Sequence, residues 1–287
     1  MPFRSSASRL PSGVLGRAFG DSDMAYLKGA SLAQAEYETY LAAVSTASGT
    51  LTALSKYVAR SHLEALAQKS YNHRIKWIMP FLGSNIAAGL VALRHRIAGA
   101  PAVTNNGYVD GDLVEGTGLT GDSTSYADLN FNPTHCGYFA GIGAVVGGAL
   151  DANGSVIGVL NSDGSIRWTM GLRAAGHFFT WGANAGQVTA VTTGAGHFYG
   201  QRSGNSLRTM YLSGSSNATD VDSETTVPTL AIDFFLGANN FNGSTNTINT
   251  SVSILKFVYI TDGQMTAAEV LDYYNLCQKT IITPLGR

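Results

Sequence analysis

From residue 102 onward, the chain alternates short apolar runs with sequences that form tight turns. The turn sequences at 151–154 and 161–164 each end in a glycine, the residue that adopts a positive φ at least cost. Between them lies the strand-length run 155–160, and residues 165–170 then alternate apolar and polar side chains. Such runs without intervening helices predict antiparallel strands in a β-sandwich or barrel. Further strands are predicted at 187–191, 206–212, 231–236 and 251–260.

Charge and glycine content change near residue 100. Residues 1–100 hold 11 Lys and Arg against 5 Asp and Glu, a net charge of +6, with 8 glycines. Residues 101–287 hold 7 against 14, a net charge of −7, with 26 glycines. This switch predicts a domain boundary near residue 100. The basic charges are dispersed, with no run of four, and this pattern does not favour nucleic-acid binding.

The first hundred residues are predicted to hold an extended arm, residues 1–28, and a helical anchoring region, residues 29–100. The arm shows no hydrophobic period, and Arg4, Arg9 and Arg17 are its candidate assembly contacts. Helices are predicted at 31–46, 51–79 and 84–97.

The C-terminal helix has a clear start signal. Thr266 and Glu269 have the spacing of a capping box, and Met265 can pack on Val270 as a hydrophobic staple. The helix is predicted to turn Val270, Leu271, Tyr274 and Leu276 toward the sandwich.

Two cysteines, Cys136 and Cys277, lie in apolar segments and are predicted to be buried free thiols. The N-terminal residues lack the apolar core of a signal peptide. The most apolar stretch, residues 138–150, is too short to span a bilayer. We therefore expect no membrane segment.

Three segments in order resemble the C-terminal half of concanavalin A-like or laminin G-like jelly rolls. They are residues 207–214, 234–238, and 257–260 together with 265–270, and Ser213 stands where the family usually has Asn. Residues 77–84, followed by 104–108 and 116–119, resemble the lead-in to such jelly rolls in structural proteins of tailed bacteriophages. The resemblance implies a virion component assembled in the host cytoplasm, with residues 101–287 as a concanavalin A-like sandwich.

Catalytic patterns are missing from the sequence, so we expect a protein that is not an enzyme. Jelly-roll glycosidases place paired carboxylates as Glu-x-Asp-x-x-Glu, and this spacing does not occur. Asp21-Ser22 and Asp122-Ser123, each after a glycine, resemble the nucleophile block of SGNH esterases. That family also needs Asp-x-x-His, and no histidine has Asp three residues before it.

Two groups of residues are candidate binding sites. An aromatic region that includes a repeated Gly-His-Phe sequence predicts a glycan platform of Trp168, His177, Phe179, Trp181, His197 and Tyr199; the alternative is that these side chains form the core of the sandwich. The acidic residues Asp220, Asp222 and Glu224 are candidate Ca²⁺ ligands, and the alternative is a solvated hairpin.

Three functions remain open on the sequence. The first is a non-enzymatic virion structural protein, in a capsid decoration, fibre or tail, anchored by its N-terminal region. The second is a carbohydrate-binding module for surface attachment, and the third is a polysaccharide-degrading enzyme. Poorly protected edge strands predict a homo-oligomer, and the phage resemblance suggests a trimer.

Overall fold

The computed structural model describes residues 21–97, 103–122, 124–137, 139–147, 154–171, 177–183, 188–190, 194–202, 207–221, 230–245 and 254–287. These residues form two β-sheets packed face to face, with a helical layer on the outside of one sheet.

The helices and strands follow in chain order. The helices of the described residues are α1 (Asp21–Thr46), α2 (Ala53–Ala67), α3 (Ile86–Gly89) and α4 (Ala267–Cys277). Their strands are β1 (Ile75–Met79), β2 (Arg94–His95), β3 (Thr104–Asn106), β4 (Leu113–Val114), β5 (Gly118–Thr120), β6 (Tyr126–Asp128), β7 (Gly141–Gly147), β8 (Ser155–Leu160), β9 (Ile166–Gly171), β10 (His177–Ala183), β11 (Val188–Ala190), β12 (Gly196–Arg202), β13 (Leu207–Leu212), β14 (Ser215–Val221), β15 (Phe235–Leu236), β16 (Asn239–Phe241), β17 (Ser244–Thr245) and β18 (Ile254–Thr261).

The first sheet has the order β14-β13-β12-β7-β18-β1-β2, with β5 on β18 and β4 on β5. The second has the order β11-β10-β9-β8-β15-β6-β3, and β16 and β17 join it at β8. Neighbouring strands along both paths pair antiparallel, whereas β16 and β8 run parallel. The predicted fold class, a mainly β antiparallel sandwich with small N-terminal helices, is confirmed.

The main core lies between the two sheets. Trp77, Phe131, Trp168, Trp181 and Phe234 are all buried there. The rings of Trp168 and Trp181 stack with their centroids 5.2 Å apart, because their strands place them directly opposite each other. Burial of this much aromatic surface is the chief force that holds the sheets together.

A second core lies between the first sheet and the helical layer. Val58 and Leu63 of α2 pack with Ile78 of β1, Tyr259 of β18 and Tyr273 of α4. Strands expose alternate residues on opposite faces. The first sheet therefore carries apolar side chains on both faces, one toward the second sheet and one toward the helices.

Ion pairs join the helical layer to the first sheet. Glu36 of α1 pairs with Arg94 of β2 at 2.7 Å and with Arg96 at 2.5 Å. Arg74 pairs with Glu269 at the start of α4. The helices are therefore fixed to the sheet by charged contacts as well as by the apolar core.

The predicted helix 51–79 is wrong in its second half. Helix α2 ends at Ala67, and residues Ile75–Met79 form strand β1, which pairs with β18 and β2. The segment forms a strand because Trp77 enters the main core while Ile78 enters the second core. Two apolar surfaces on opposite sides suit the two-residue period of a strand.

The predicted helix 84–97 and the extent of the arm also need correction. Only Ile86–Gly89 is helical, and β2 follows at Arg94–His95. Helix α1 begins at Asp21, within the segment predicted to be an arm. The predicted boundary near residue 100 lies outside the described residues, which omit 98–102. Strands β1 and β2 before it and β18 after it share one sheet.

Most predicted strands are confirmed, with small shifts. Residues 155–160 form β8 as predicted, whereas 231–236 yields only β15 at Phe235–Leu236. The turn before β9 has Gly164 at φ 70°, as the turn sequence requires. In the resembling segment 207–214, β13 leads into a turn with Ser213 at φ 49° and Gly214 at φ 82°.

The C-terminal capping box is confirmed. The Thr266 side chain accepts the Glu269 N–H, and the Glu269 carboxylate accepts the Thr266 N–H at 2.8 Å. Met265 and Val270 are buried in the second core, and Leu271, although it is 43% exposed, lies against Gly214 in the turn between β13 and β14.

Both cysteines are free thiols; Cys277 is buried, whereas Cys136 is half-buried. No helix among the described residues is long and apolar enough to cross a membrane.

Candidate functional site

The predicted glycan platform is buried. Its members are between 0% and 2% exposed: Trp168, His177, Phe179, Trp181, His197 and Tyr199. Trp168, Phe179 and Trp181 lie in the main core, whereas Tyr199 lies in the second core. No ring of this set offers an open face to a sugar, and the set is divided between two sides of a sheet. The burial fits the alternative interpretation, that these side chains are core.

The two histidines of this set are packed by aromatic rings. His177 meets Phe198 edge to face, with centroids 4.2 Å apart. His197 stacks on Tyr274 at 5.4 Å, and a 2.9 Å hydrogen bond joins its Nε2 to the Tyr259 hydroxyl. Burial lowers the pKa of His197 to about 3, so the ring is neutral at neutral pH.

Tyr199 belongs to a buried polar network that docks the start of α4. Its hydroxyl hydrogen-bonds to Thr261 at 2.8 Å and donates to Gln201. Gln201 in turn bonds both the N–H and the carbonyl of Met265. This arrangement satisfies polar groups in an apolar interface and orients a helix. Its role is structural.

Only part of the predicted Ca²⁺ set lies among the described residues. Asp220 on β14 has a carboxylate oxygen 3.6 Å from Nη1 of the buried Arg208. Asp222 and Glu224 lie outside the described residues, as do Arg4, Arg9 and Arg17. Within the described ranges, no three His, Cys, Asp or Glu side chains are grouped as metal ligands would be.

Asp122, from the esterase-like sequence, closes a turn. Its Oδ1 accepts the N–H groups of Thr124 and Ser125 at 2.8 and 2.6 Å. These hydrogen bonds lower the pKa of the carboxyl to about 2. The Asp122 carboxylate therefore serves to hold the backbone of this turn.

Glu115 and Arg287 also have structural partners. Glu115 accepts hydrogen bonds from the hydroxyls of Thr52 and Ser55, which tie α2 to the sandwich. Arg287 donates to four backbone carbonyls, those of Pro80, Phe81, Glu115 and Lys256. Burial lowers the Arg287 pKa to about 10.

Open cavities lie on the helical side of the molecule. One, of about 580 Å³, runs between α1 and residues 91–96, and a neighbouring one, of about 530 Å³, shares Ala43 and Val91 with it. Sequence reasoning missed both. The available signal was the four-residue spacing of Ala35, Thr39 and Ala43 on α1, small side chains that leave room beside a helix.

A third cavity, of about 460 Å³, lies between α2 and the C-terminal segment. Tyr57, which is 63% exposed, lies beside it, and its polar lining residues are Ser61, Glu64, Gln68, Lys279 and Thr280. Here an aromatic ring is open to solvent next to hydrogen-bonding side chains.

The described residues define a class of architecture: an antiparallel β-sandwich with a helical layer packed on one sheet. No known protein family matches the chain, and no curated protein sequence is similar to it.

Several solved structures are similar to the chain at low identity. Domain 4 of an extracellular arabinanase from Geobacillus stearothermophilus, in complex with arabinotriose, is 14% identical with a TM-score of 0.48, covering 69% of this chain and 98% of that one. The CBM40 domain of the Ruminococcus gnavus IT-sialidase is 11% identical with a TM-score of 0.41, covering 55% and 96%. The binding domain of botulinum neurotoxin serotype C1 is 12% identical with a TM-score of 0.44, covering 60% and 46%.

Proposed function

We propose that the protein is a non-enzymatic structural component of a virion, anchored through its helical side and displaying the second sheet. The single observation that carries the proposal is that, among the described residues, the helical layer covers the outer face of the first sheet and not that of the second. The molecule therefore has two chemically different sides. The sequence resemblance to phage jelly-roll proteins supports the same interpretation.

The charge of the helical side supports its role in anchoring. Residues 28–97 hold 8 Lys and Arg against 3 Asp and Glu. Lys56 and Arg60 are exposed on α2 and point away from the sandwich. A basic surface of this kind suits an acidic face of a neighbouring structural protein.

Incorporation into particles tests the proposal. Virus particles that carry this gene are purified on a density gradient. Mass spectrometry should then detect the protein in the purified particles. Lys56→Glu should reduce incorporation severalfold, because it reverses a charge on the anchoring side. Asp163→Lys, in the exposed hairpin before β9, is the matched control and should leave incorporation unchanged. Absence of the protein from particles, or equal incorporation of both variants, would contradict the proposal.

The second candidate function is carbohydrate binding, and the exposed Tyr57 beside its polar cavity favours it. Aromatic faces stack on the C–H surfaces of sugars, and neighbouring polar groups bond the hydroxyls. A glycan array, with and without Ca²⁺, should then show binding that Tyr57→Ala abolishes. Leu54→Ala, at another exposed position of α2, should leave binding intact. An array with no signal in either condition would exclude this candidate.

A further inference from the structure

The two cavities beside α1 adjoin each other and together make up a groove. They meet at Ala43 and Val91. From Glu36 to Thr46, the wall formed by α1 extends for about 15 Å at the rise of an α-helix. The residues of α1 that line the groove here are mostly alanine and threonine, whose small side chains leave room beside the helix.

The walls of the groove are apolar and incompletely covered. Ile86 and Val103 pack at the margin of the main core, and Val91 packs at the margin of the second core. All three are only half-buried, and Leu32 at the other end is 52% exposed. Apolar side chains gathered along a groove and left partly in water are typical of a ligand site.

One end of the groove carries an excess of positive charge. Glu36 Oε2 lies 2.7 Å from Arg94 Nη2, and Glu36 Oε1 lies 2.5 Å from Arg96 Nε. One carboxylate is thus shared by two guanidinium groups, which leaves a net charge of about +1. The side chain of Arg94 is fully buried, whereas that of Arg96 is 30% exposed.

Arg96 has donors left for a ligand. Its Nε bonds Glu36, and its Nη atoms make no hydrogen bond to the residues that the structure describes. A guanidinium with its terminal N–H groups free is suited to bind a carboxylate. The charged end therefore complements an anionic headgroup, and the apolar walls complement a hydrocarbon chain.

We propose that this groove binds a free, unbranched aliphatic carboxylate, with its headgroup at Arg96 and its chain along Ala43 and Val91. The length of the groove favours an unbranched aliphatic carboxylate over a compact ligand. The α1 wall has the length of an extended chain of about twelve carbons. A bound hydrocarbon chain would cover the half-buried apolar side chains of the groove walls. Removal of this apolar surface from water would supply most of the binding free energy.

Isothermal titration calorimetry tests the proposal. The full chain is titrated with sodium decanoate, which is kept below its micelle concentration. We expect saturable binding of one decanoate per chain. Decanol, which lacks the charge, and acetate, which lacks the chain, should each bind at least tenfold more weakly. Arg96→Gln should weaken decanoate binding at least tenfold. Arg60→Gln, which removes an exposed arginine of α2 away from the groove, is the matched control and should leave it unchanged.

A variant that fills the groove gives an independent test. Ala43→Leu occupies the point shared by the two cavities and should abolish decanoate binding while the circular dichroism spectrum stays native. If this variant does not fold, the Arg96→Gln comparison decides alone. The proposal is overturned if decanoate fails to saturate, if decanol binds equally well, or if Arg96→Gln has no effect. It is also overturned if vesicles bind the protein but monomeric decanoate does not, or if a second copy of the chain occupies the groove.

Discussion

Several glycines lie where aromatic side chains press against the sheets. A Cβ added to Gly200 on β12 would lie 2.2 Å from the ring of Phe179, and one added to Gly143 on β7 would lie 2.0 Å from the ring of Tyr259. Gly200 faces the main core and Gly143 faces the second core. The first sheet can pack large rings on both sides because these positions have no side chain.

Gly200→Ala should therefore destabilise the protein. The new methyl group would force Phe179 out of a packed core, at a cost of roughly 1–3 kcal/mol in the free energy of unfolding. Urea denaturation followed by tryptophan fluorescence measures the change. Gly111→Ala is the matched control, because nothing lies within 4 Å of its added Cβ. Equal stability of the two variants would show that the core accommodates the methyl group.

Two buried histidines make the second core sensitive to acid. His62 hydrogen-bonds to Thr280 at 2.8 Å and packs against Phe257, and His197 bonds Tyr259. Burial lowers the pKa of each from 6.5 to about 3, and for His62 the nearby Arg94 charge adds to the effect. Both rings are thus neutral in the folded protein and bind protons more readily in the unfolded chain.

The pKa shifts predict that stability is complete above about pH 6.5 and falls as the pH drops toward 3. Between pH 6.5 and 5, each histidine should remove roughly 2 kcal/mol from the free energy of unfolding. Urea midpoints at pH 7.5 and 5.0 measure this loss. The His197→Gln variant should show a smaller loss between these pH values, whereas replacement of the exposed His73 should not change it. A pH-independent wild-type midpoint would contradict the prediction.

At the scale of elements, the sequence predicts strands and helix caps well where a local pattern, such as a turn glycine or a cap spacing, is enough to define them. The run that forms β8 and the capping box of α4 were both found, because turn glycines and cap spacing are local. Strand β1 was missed because its residues, Ile75–Met79, are apolar on both sides and continue directly from a helical pattern. Its pairing with β18, almost two hundred residues away, and with β2 makes it a strand.

The candidate sites depended even more on tertiary packing. The aromatic residues predicted to bind glycans were identified as a group, but the sequence could not show that Trp168 and Trp181 face the opposite sheet. Conversely, Tyr57 lies in an ordinary amphipathic helix, and its exposure follows only from how α2 packs. The groove beside α1 arises between segments far apart in the chain, Ala43 and Val91.

The ion pair between α1 and β2 is expected to hold the helical layer in place. Glu36→Gln would leave the guanidinium of Arg94 buried without a counter-charge, which should cost roughly 3 kcal/mol in the free energy of unfolding. Thermal or urea unfolding at neutral pH measures the loss. Glu38→Gln, on an exposed turn of the same helix, is the matched control and should change stability by less than about 0.5 kcal/mol. Equal effects would mean that the apolar contacts alone hold the layer.

At the scale of the whole molecule, one edge of the first sheet is available for contact with another chain. The helices cover the outer face of the first sheet, but β14 at its end has only β13 as a hydrogen-bonded neighbour among the described strands. The sequence of β14, Ser-Ser-Asn-Ala-Thr-Asp-Val, contains no lysine, and its Val221 is 74% exposed. A strand edge that has no further hydrogen-bonded strand among the described residues and carries no lysine can pair with a second copy. It is the physical basis for the homo-oligomer predicted from the sequence.

We therefore expect the wild-type chain to associate in a concentration-dependent way, and Thr219→Lys to shift it toward the monomer. A lysine on the exposed strand opposes edge-to-edge pairing, because its charge would have to lie in the new interface. Ser162→Lys, in the hairpin turn before β9, adds the same charge away from the edge and should not alter association. Light scattering coupled to size-exclusion chromatography distinguishes these outcomes. A wild-type protein that stays monomeric at every concentration would contradict the predicted homo-oligomer, because the edge of β14 would then have no partner of its own kind.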